Sequence, residues 1–215
     1  MNETVRYIAI EGPIGVGKSS LTGLLGERFG VDPIYEPVDS NPYLSNFYEN
    51  KKQYAFEAQM FFLVNRYKQL SGLSQGDLFN KVILCDYVIE RDYNFAKLNL
   101  TEHEFRIYVE IYRQFIREIP SPDLIVYLQA DTSVLMKRIR KRDREIEKTI
   151  TEEYLSEVNR TFNEFFFNYR QCPVLIINTN NIDFVANKTD FESLAVKVCS
   201  DVIGLEFFNP PATQF

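Results

Sequence analysis

A glycine-rich segment suited to holding phosphate groups runs from Gly12 to Ser19 and follows a short apolar run. Its spacing, Gly-x4-Gly-Lys-Ser, lets successive backbone N–H groups turn toward phosphate oxygens. Lys18 adds a positive charge, and the Ser19 hydroxyl is a suitable ligand for Mg²⁺. The residues that we assign to a bound nucleoside triphosphate here are Gly12, Gly15, Gly17, Lys18, Ser19 and Ser20. The alternative is a glycine-rich turn without a ligand, and the complete pattern after a strand argues against it.

Two carboxylates each end a short apolar run, Glu36 within residues 33–38 and Asp86 within residues 81–86. Both runs are predicted strands, and ligands of open parallel sheets bind beyond the carboxyl ends of strands. Glu36 is therefore a candidate general base for a substrate hydroxyl, and Asp86 a candidate magnesium ligand, directly or through water. The alternatives are a surface or capping carboxylate for Glu36 and an ordinary turn residue for Asp86.

A run of positive charge at residues 137–145 contains Arg138 and Arg142, one helical turn apart, with Arg144 beyond them. On an acidic protein, such a local cluster indicates a lid that closes over phosphates. The alternative is a solvated helix face whose arginines pair with neighbouring carboxylates.

A polar amide, Gln59, falls within an aromatic helical stripe of Phe56, Phe62, Leu63 and Arg66. Its amide offers both a donor and an acceptor, which suits the hydrogen-bonding edge of a nucleobase between aromatic rings. A core amide bonded to backbone is the alternative.

The elements that must position these residues alternate between strands and helices. Strands are predicted over residues 7–11, 33–38, 81–86, 123–128 and 173–178. Helices are predicted over residues 18–29 and over 41–75, with a break near residues 50–52. A further helical pattern follows the strand at residues 81–86 and ends at residue 119, and another helical region lies within residues 132–170. This order predicts an α/β domain with a doubly wound parallel sheet. We expect one domain over residues 1–215, with a lid at about 137–150 and a frayed tail at 209–215.

The composition restricts the possible partners. A formal net charge of −6 and a pI of about 5.0 argue against a nucleic-acid polymer. Three cysteines without metal-site spacing indicate a reducing, cytoplasmic setting. The sequence has no apolar run long enough to predict a membrane span.

Several of these motifs, taken in order, resemble the deoxynucleoside kinases, and the bacterial branch acting on deoxyadenosine and deoxyguanosine is most similar. They are Ile8–Gly12, Tyr35–Val38, Phe47–Glu49, Gln59–Arg66, Asp86-Tyr87 ahead of Phe95-Ala96, the arginine lid, and Asp183-Phe184. The resemblance implies a P-loop kinase fold, ATP with Mg²⁺ as phosphoryl donor, a deoxynucleoside 5′-hydroxyl as acceptor, and a homodimer.

The resemblance also implies roles for individual residues. Glu36 matches the general base, Gln59 the amide that reads the base, and Arg66 the arginine beside the reacting hydroxyl. Tyr48 and Glu147 match the pair that holds the 3′-hydroxyl. The remaining matches are Arg138, Arg142 and Arg144 with lid arginines, Asp86 with the metal-binding carboxylate, and Asp183 and Phe184 with the loop against the donor adenine.

One departure affects the choice of nucleobase. Many family members have Glu-Arg-Ser where this chain has Asp86-Tyr87-Val88, so the arginine of that motif is missing. The segment to Phe95 also aligns one residue short, which leaves Arg91 or Asp92 as the residue that discriminates between bases. Ala58 is small and favours a purine; we expect deoxyadenosine ahead of deoxyguanosine, with deoxycytidine as a side substrate.

Two other classes of protein share parts of this pattern. A regulatory GTPase would use the tetrapeptide Asn187–Asp190 to read guanine, yet this tetrapeptide does not directly follow a strand. A nucleoside monophosphate kinase of the thymidylate type shares the P-loop and lid. Glu36 favours an uncharged nucleoside, because a carboxylate beside the acceptor would repel a phosphate.

Overall fold

A parallel sheet forms the centre of the chain in a computed structural model, which describes residues 7–75 and 82–211. The strands lie in the order β2-β1-β3-β4-β5, and every neighbouring pair is parallel. The strands are β1 (Tyr7–Glu11), β2 (Ile83–Cys85), β3 (Leu124–Gln129), β4 (Val174–Asn178) and β5 (Leu205–Phe208). Helices cover both faces of the sheet, which confirms the predicted α/β class with a doubly wound sheet.

The helices that connect these strands follow the predicted alternation up to residue 170, and the helix at Lys188–Val198 was not predicted. They are α1 (Lys18–Phe29), α2 (Leu44–Glu49), α3 (Lys51–Ser71), α4 (Glu90–Asn99), α5 (Glu102–Phe115), α6 (Thr132–Arg142), α7 (Glu152–Phe167) and α8 (Lys188–Val198). The α1 helix has the predicted bounds because glycines in the left-handed region lie at both ends, Gly17 at φ 105° and Gly30 at φ 67°. The predicted break near residues 50–52 separates α2 from α3.

The core consists of buried apolar side chains from the three inner strands and the helices packed on them. All five residues of β1 are buried, as expected for a strand covered on both faces. The sheet is buried between two helical layers, so the carboxyl ends of its strands are held in place. The P-loop and Asp86 lie at these carboxyl ends.

Residues 33–38 do not form the predicted strand. The segment makes a single isolated bridge between Ile34 and Cys85, with the Ile34 N–H donating to the Leu84 carbonyl. Pro33 and Pro37 have no N–H to contribute to a ladder, which limits the pairing to this bridge. Glu36 nevertheless lies beside the carboxyl end of β2.

The fifth strand of the sheet is β5, which follows α8 and was not predicted. The residues before it turn at Gly204, whose φ is 64°, and β5 then pairs with β4 along the edge of the sheet. The region 132–170 is also divided, because Asp143 adopts a positive φ of 50° at the end of α6 and a 3₁₀ turn at Glu145–Glu147 precedes α7. Of the predicted frayed tail, residues 212–215 lie outside the described residues.

Two further expectations concern a membrane span and the tetrapeptide that a GTPase would use to read guanine. In the described part of the chain, no helix combines the length and the apolarity needed to cross a bilayer. The tetrapeptide at Asn187–Asp190 begins α8, where the Asn187 side chain accepts hydrogen bonds from the N–H groups of Thr189 and Asp190. Asn187 therefore caps the N-terminus of α8, and this structural role explains its presence without a guanine-binding function.

Candidate active site

The phosphate-binding loop connects β1 to α1 and depends on glycine conformations. Gly15 and Gly17 have φ values of 83° and 105°, a region that other residues rarely adopt. A Cβ atom on Gly17 would lie 2.8 Å from the Phe184 ring. Lys18 Nζ donates to the carbonyls of Gly12 at 2.8 Å and Pro13 at 3.1 Å. Burial, followed by repulsion from Arg91, lowers the pKa of Lys18 to about 8.

Ser19 and Asp86 meet at the carboxyl ends of the strands. Ser19 Oγ donates to Asp86 Oδ2 at 2.5 Å, and the Glu36 N–H donates to Asp86 Oδ1 at 2.8 Å. Both side chains present oxygen atoms, the donor type that Mg²⁺ prefers. Within residues 7–75 and 82–211, no group of three or more His, Cys, Asp or Glu could hold a metal. This donor set therefore fits a magnesium ion that takes most of its ligands from phosphates and water.

Glu36 is held between two arginines. Its carboxylate pairs with Arg66 through one oxygen and lies 3.3 Å from Arg91 Nη1 through the other. The Glu36 side chain is 8% exposed. Burial raises the pKa of Glu36, and the charge of Arg91 opposes that shift. A buried carboxylate with a raised pKa, beside the phosphate loop, is suited to accept a proton from a hydroxyl.

Glu11 is a buried carboxylate for which the sequence suggested no role. It ends β1 and is fully buried. Its carboxylate accepts hydrogen bonds from the N–H groups of Gly12 at 2.8 Å and Val88 at 3.1 Å. The available sequence signal was its position at a strand end directly before the first glycine of the P-loop.

A cavity opens beside the P-loop and brings most of the predicted residues together. Its lining includes Gly15, Lys18, Ser19, Glu36, Tyr48, Gln59, Arg66, Asp86, Arg91, Phe95, Arg142, Arg144 and Glu147. The apolar part of the wall comes from Ile14, Val38, Leu44, Phe47, Ala58, Phe62 and Tyr154. Gly12, Gly17, Ser20, Asp92, Arg138, Asp183 and Phe184 are predicted site residues that do not line it. Ser20 lies exposed in the first turn of α1.

The wall away from the P-loop carries the residues predicted to contact a sugar and a base. Glu147 is buried in the 3₁₀ turn before α7 and forms a bidentate ion pair with Arg142. Tyr48 lies nearby on α2, and burial raises the pKa of its hydroxyl, with Tyr154 and Glu147 adding to the effect. Gln59 is buried on α3.

Arg91 and Asp92 occupy different places in the first turn of α4. Arg91 lines the cavity, whereas Asp92 is fully buried and pairs with Arg66. The Arg66 guanidinium therefore links the carboxylates of Glu36 and Asp92. It also lies over the ring of Phe62, with its Cζ 5.0 Å from the ring centroid. Asp92 can influence a ligand in the cavity through Arg66.

The lid arginines do not act as one surface. Arg142 and Arg144 line the cavity, whereas Arg138 does not. The Arg138 guanidinium donates to the carbonyls of Val16 at 3.2 Å, Thr179 at 2.6 Å and Ile182 at 3.3 Å. It thus ties the P-loop to the loop after β4, a different environment from the phosphate contact predicted for it.

Asp183 and Phe184 belong to that same loop. Asp183 Oδ1 accepts hydrogen bonds from the N–H groups of Val185 and Ala186, and the Phe184 ring is buried near Gly17. Phe184 therefore lies near the P-loop, and neither Asp183 nor Phe184 lines the cavity that contains Glu36.

Comparison with known proteins reveals a consistent set of relatives. A family model described as deoxynucleoside kinase matches residues 8–204. The deoxyguanosine kinase of Bacillus subtilis (strain 168) is 38% identical over 200 residues, 91% of this chain and 97% of that protein. A deoxyadenosine kinase of Lactobacillus acidophilus is 32% identical, covering 85% and 90% of the two chains. A solved structure of deoxyadenosine kinase from M. mycoides with bound dATP has a TM-score of 0.76 at 29% identity, covering 91% and 100%.

Proposed function

The chain belongs to the deoxynucleoside kinase family, and we propose that it transfers the γ-phosphoryl group of ATP to the 5′-hydroxyl of a 2′-deoxyribonucleoside, with a purine base preferred. The products are the 5′-monophosphate and ADP, which leaves as the bond to the γ-phosphorus breaks. The observation that carries the proposal is the position of Glu36, whose N–H donates to Asp86 while its carboxylate lines the cavity beside Lys18. This position supports a base beside an acceptor hydroxyl that meets the phosphates held by the P-loop.

Glu36 takes the proton of the 5′-hydroxyl as that oxygen attacks phosphorus. Its raised pKa brings the carboxylate closer to the basicity that proton transfer from a hydroxyl requires. Lys18 and the cavity-facing arginines Arg142 and Arg144 offset charge on the transferred group. An uncharged acceptor suits this site, because a second phosphate beside Glu36 and Asp86 would meet two carboxylates.

We propose that Ser19 and Asp86 hold Mg²⁺ together with phosphate oxygens and water. A magnesium ion held by these two residues would supply positive charge that offsets the negative charge of the phosphates. The 2.5 Å separation of Ser19 Oγ and Asp86 Oδ2 supports this proposal, since it brings two oxygen donors beside the helix end that faces the phosphates.

The opposite wall binds the nucleoside in this proposal. Tyr48 and Glu147 hold the 3′-hydroxyl, and Gln59 pairs with the base. The small side chain of Ala58 on the cavity wall supports a two-ring base. Arg66 contacts the ligand and transmits the charge of Asp92, as their ion pair suggests. Curated relatives named for each purine nucleoside match most of the chain, so both nucleosides belong in the assay.

The donor base is proposed to lie against Asp183 and Phe184. Arg138 would keep this loop in place, since it binds the carbonyls of Thr179 and Ile182 as well as that of Val16. This assignment changes Arg138 from a phosphate ligand to a residue that supports the donor site. It predicts that substitution at Arg138 affects ATP more than the nucleoside.

We also propose that one domain spans residues 1–215 and forms a homodimer in the cytoplasm. The free thiols of Cys85, Cys172 and Cys199 fit a reducing compartment. Of the large apolar side chains on α3 and α5, the structure leaves Ile107 exposed, at 40%. Light scattering at micromolar concentration would test this part, and a monomer would contradict it.

The test of the reaction is a coupled kinase assay with ATP, Mg²⁺ and each of the four deoxynucleosides. We expect 5′-monophosphate formation with a higher kcat/KM for deoxyadenosine and deoxyguanosine than for thymidine. The same protein is then incubated with thymidine monophosphate, and with ATP or GTP alone. Phosphorylation of the monophosphate without activity on nucleosides would indicate a nucleoside monophosphate kinase. Rapid GTP hydrolysis without an acceptor would indicate a GTPase.

A further inference from the structure

Arg91 makes contacts that are not explained by reading a nucleobase. It lies in the first turn of α4 and is buried, and its guanidinium faces two carboxylates. Arg91 Nη1 is 3.3 Å from Glu36 Oε2, and Arg91 Nε is 3.5 Å from Glu11 Oε1. Arg91 Cζ also lies 5.4 Å from the centroid of the Phe95 ring.

Glu11 fixes the far end of this contact to the P-loop. The Glu11 carboxylate accepts hydrogen bonds from the backbone N–H groups of Gly12 and Val88, and these two bonds hold it in place. A guanidinium that pairs with both Glu11 and Glu36 therefore connects the Glu36 carboxylate to Gly12, the first glycine of the phosphate loop. Its planar arrangement of donors suits such a bridge.

The residue after Asp86 has a different function in the packing. Tyr87 is fully buried, and its hydroxyl donates to Gln69 Oε1 at 2.8 Å. Gln69 in turn donates to the carbonyl of Tyr35, the neighbour of Glu36. Tyr87 thus supports the backbone beside Glu36 but offers no positive charge to the carboxylate. A positive charge beside Glu36 must therefore come from a residue outside the Asp86-Tyr87-Val88 segment that follows β2.

Given the proposed kinase reaction, on which this inference rests, we infer that Arg91 is a positioning residue that holds Glu36 in register with the P-loop. Arg91 supplies from α4 the guanidinium that the Asp86-Tyr87-Val88 segment lacks, and it does not select the base. Each carboxylate oxygen has two lone pairs, so Glu36 can accept the substrate hydroxyl while it remains paired with Arg91.

The consequence for catalysis is a fixed direction of the Glu36 carboxylate. A base must stay within hydrogen-bond reach of the hydroxyl during attack, and small displacements of such a group lower the rate strongly. Loss of Arg91 should therefore lower kcat for every nucleoside by a similar factor. A base-reading residue would instead change the ranking of the nucleosides.

The experiment compares wild type with Arg91→Ala, Arg91→Lys and the exposed control Arg113→Ala on α5. kcat and KM are measured for deoxyadenosine, deoxyguanosine and deoxycytidine. For Arg91→Ala we expect kcat to fall about 10- to 100-fold with each nucleoside, with the ratios of kcat/KM kept within about twofold. Arg91→Lys retains the charge and should lose less. Guanidinium ion added at millimolar concentration should restore part of the Arg91→Ala activity.

Two results would overturn the inference. One is a changed ranking of nucleosides in Arg91→Ala with kcat unchanged for the favoured one, which would make Arg91 a reader of the base. The other is an unchanged kcat in both Arg91→Lys and Arg91→Ala. If Arg91→Ala does not fold, the kcat and KM of Arg91→Lys decide the question. A wild-type protein inactive on all deoxynucleosides would instead refute the proposed function.

Discussion

Replacement of Glu36 by glutamine removes the proposed base and changes little else in shape. The amide retains one oxygen acceptor but cannot take a proton from the 5′-hydroxyl at neutral pH. General-base catalysis contributes about 10² to 10⁴ in rate, which corresponds to about 2.7 to 5.5 kcal/mol in activation free energy. The Glu36→Gln variant should therefore lose at least about 100-fold in kcat. KM for the nucleoside should change much less, because the base acts in the transition state.

The same substitution should lower the stability of the fold. Glu36 pairs with Arg66 and Arg91, and all three side chains are largely buried. Removing one partner of a buried ion pair costs about 3 to 5 kcal/mol. The remaining amide oxygen can still accept one guanidinium, so we expect the lower end, about 3 kcal/mol. For a domain of this size, that lowers Tm by about 6 to 12 °C.

The measurements are kcat and KM at 25 °C with saturating ATP, together with a thermal melt. Glu57→Gln is the matched control, because Glu57 lies exposed on the same helix as Arg66. It should retain wild-type kcat and Tm. Turnover of Glu36→Gln at the wild-type rate, in a protein whose Tm has fallen as expected, would refute the role of Glu36 as the base. A lower kcat without any fall in Tm would refute the ion-pair reasoning.

The acidic limb of the wild-type profile provides an independent check on Glu36. Burial raises the pKa of this carboxyl, so the protonated and inactive form persists to higher pH than in an ordinary glutamate. kcat/KM should therefore fall as pH decreases through a value above the usual glutamate range.

Other residues of the site give predictions with separate measurements. ATP binding at pH 8 should take up about half a proton, because Lys18 has a pKa of about 8 and anionic phosphates favour its charged form; calorimetric enthalpies that do not depend on the buffer would contradict this. Tyr48→Phe should lower kcat/KM about 2- to 10-fold for deoxyadenosine and much less for 2′,3′-dideoxyadenosine, which has no 3′-hydroxyl; equal losses would remove the proposed contact. Arg138→Met should raise KM for ATP on the order of 10-fold while KM for the nucleoside stays near wild type, with exposed Arg140→Met as the control; a selective change in the nucleoside KM would argue against a donor-side role.

Local chemistry made the P-loop and the main strands predictable. Gly17 and Gly30 set the ends of α1 through left-handed conformations that glycine adopts readily, so a local pattern was sufficient. The strands β3 and β4 are continuous apolar runs bounded by polar or proline residues, as expected for strands buried on both faces. In these elements the preference of the chain agrees with the tertiary structure.

Edges of the sheet were less predictable, because a short apolar run does not specify its partners. The run at residues 33–38 resembles a buried strand, yet its prolines leave only the bridge at Ile34. The β5 strand is half-buried and lacks a clear alternation, and its pairing with β4 depends on the turn at Gly204. Strand assignment at an edge therefore depends on contacts distant in sequence.

The sequence could not predict which of Arg91 and Asp92 lines the cavity, and the reason is geometric. Successive residues on a helix point about 100° apart, so adjacent side chains reach different surroundings. Which one faces the cavity depends on where α4 begins relative to the end of β2, and the alignment was ambiguous by one residue there. In the structure, Arg91 pairs with Glu36 and Asp92 pairs with Arg66, so both charges contact the ion pair between Glu36 and Arg66. A shift of α4 by one residue would exchange an arginine for an aspartate beside the proposed base. Replacing the attractive charge by a repulsive one would raise the pKa of Glu36 further and leave Arg66 without its carboxylate from α4.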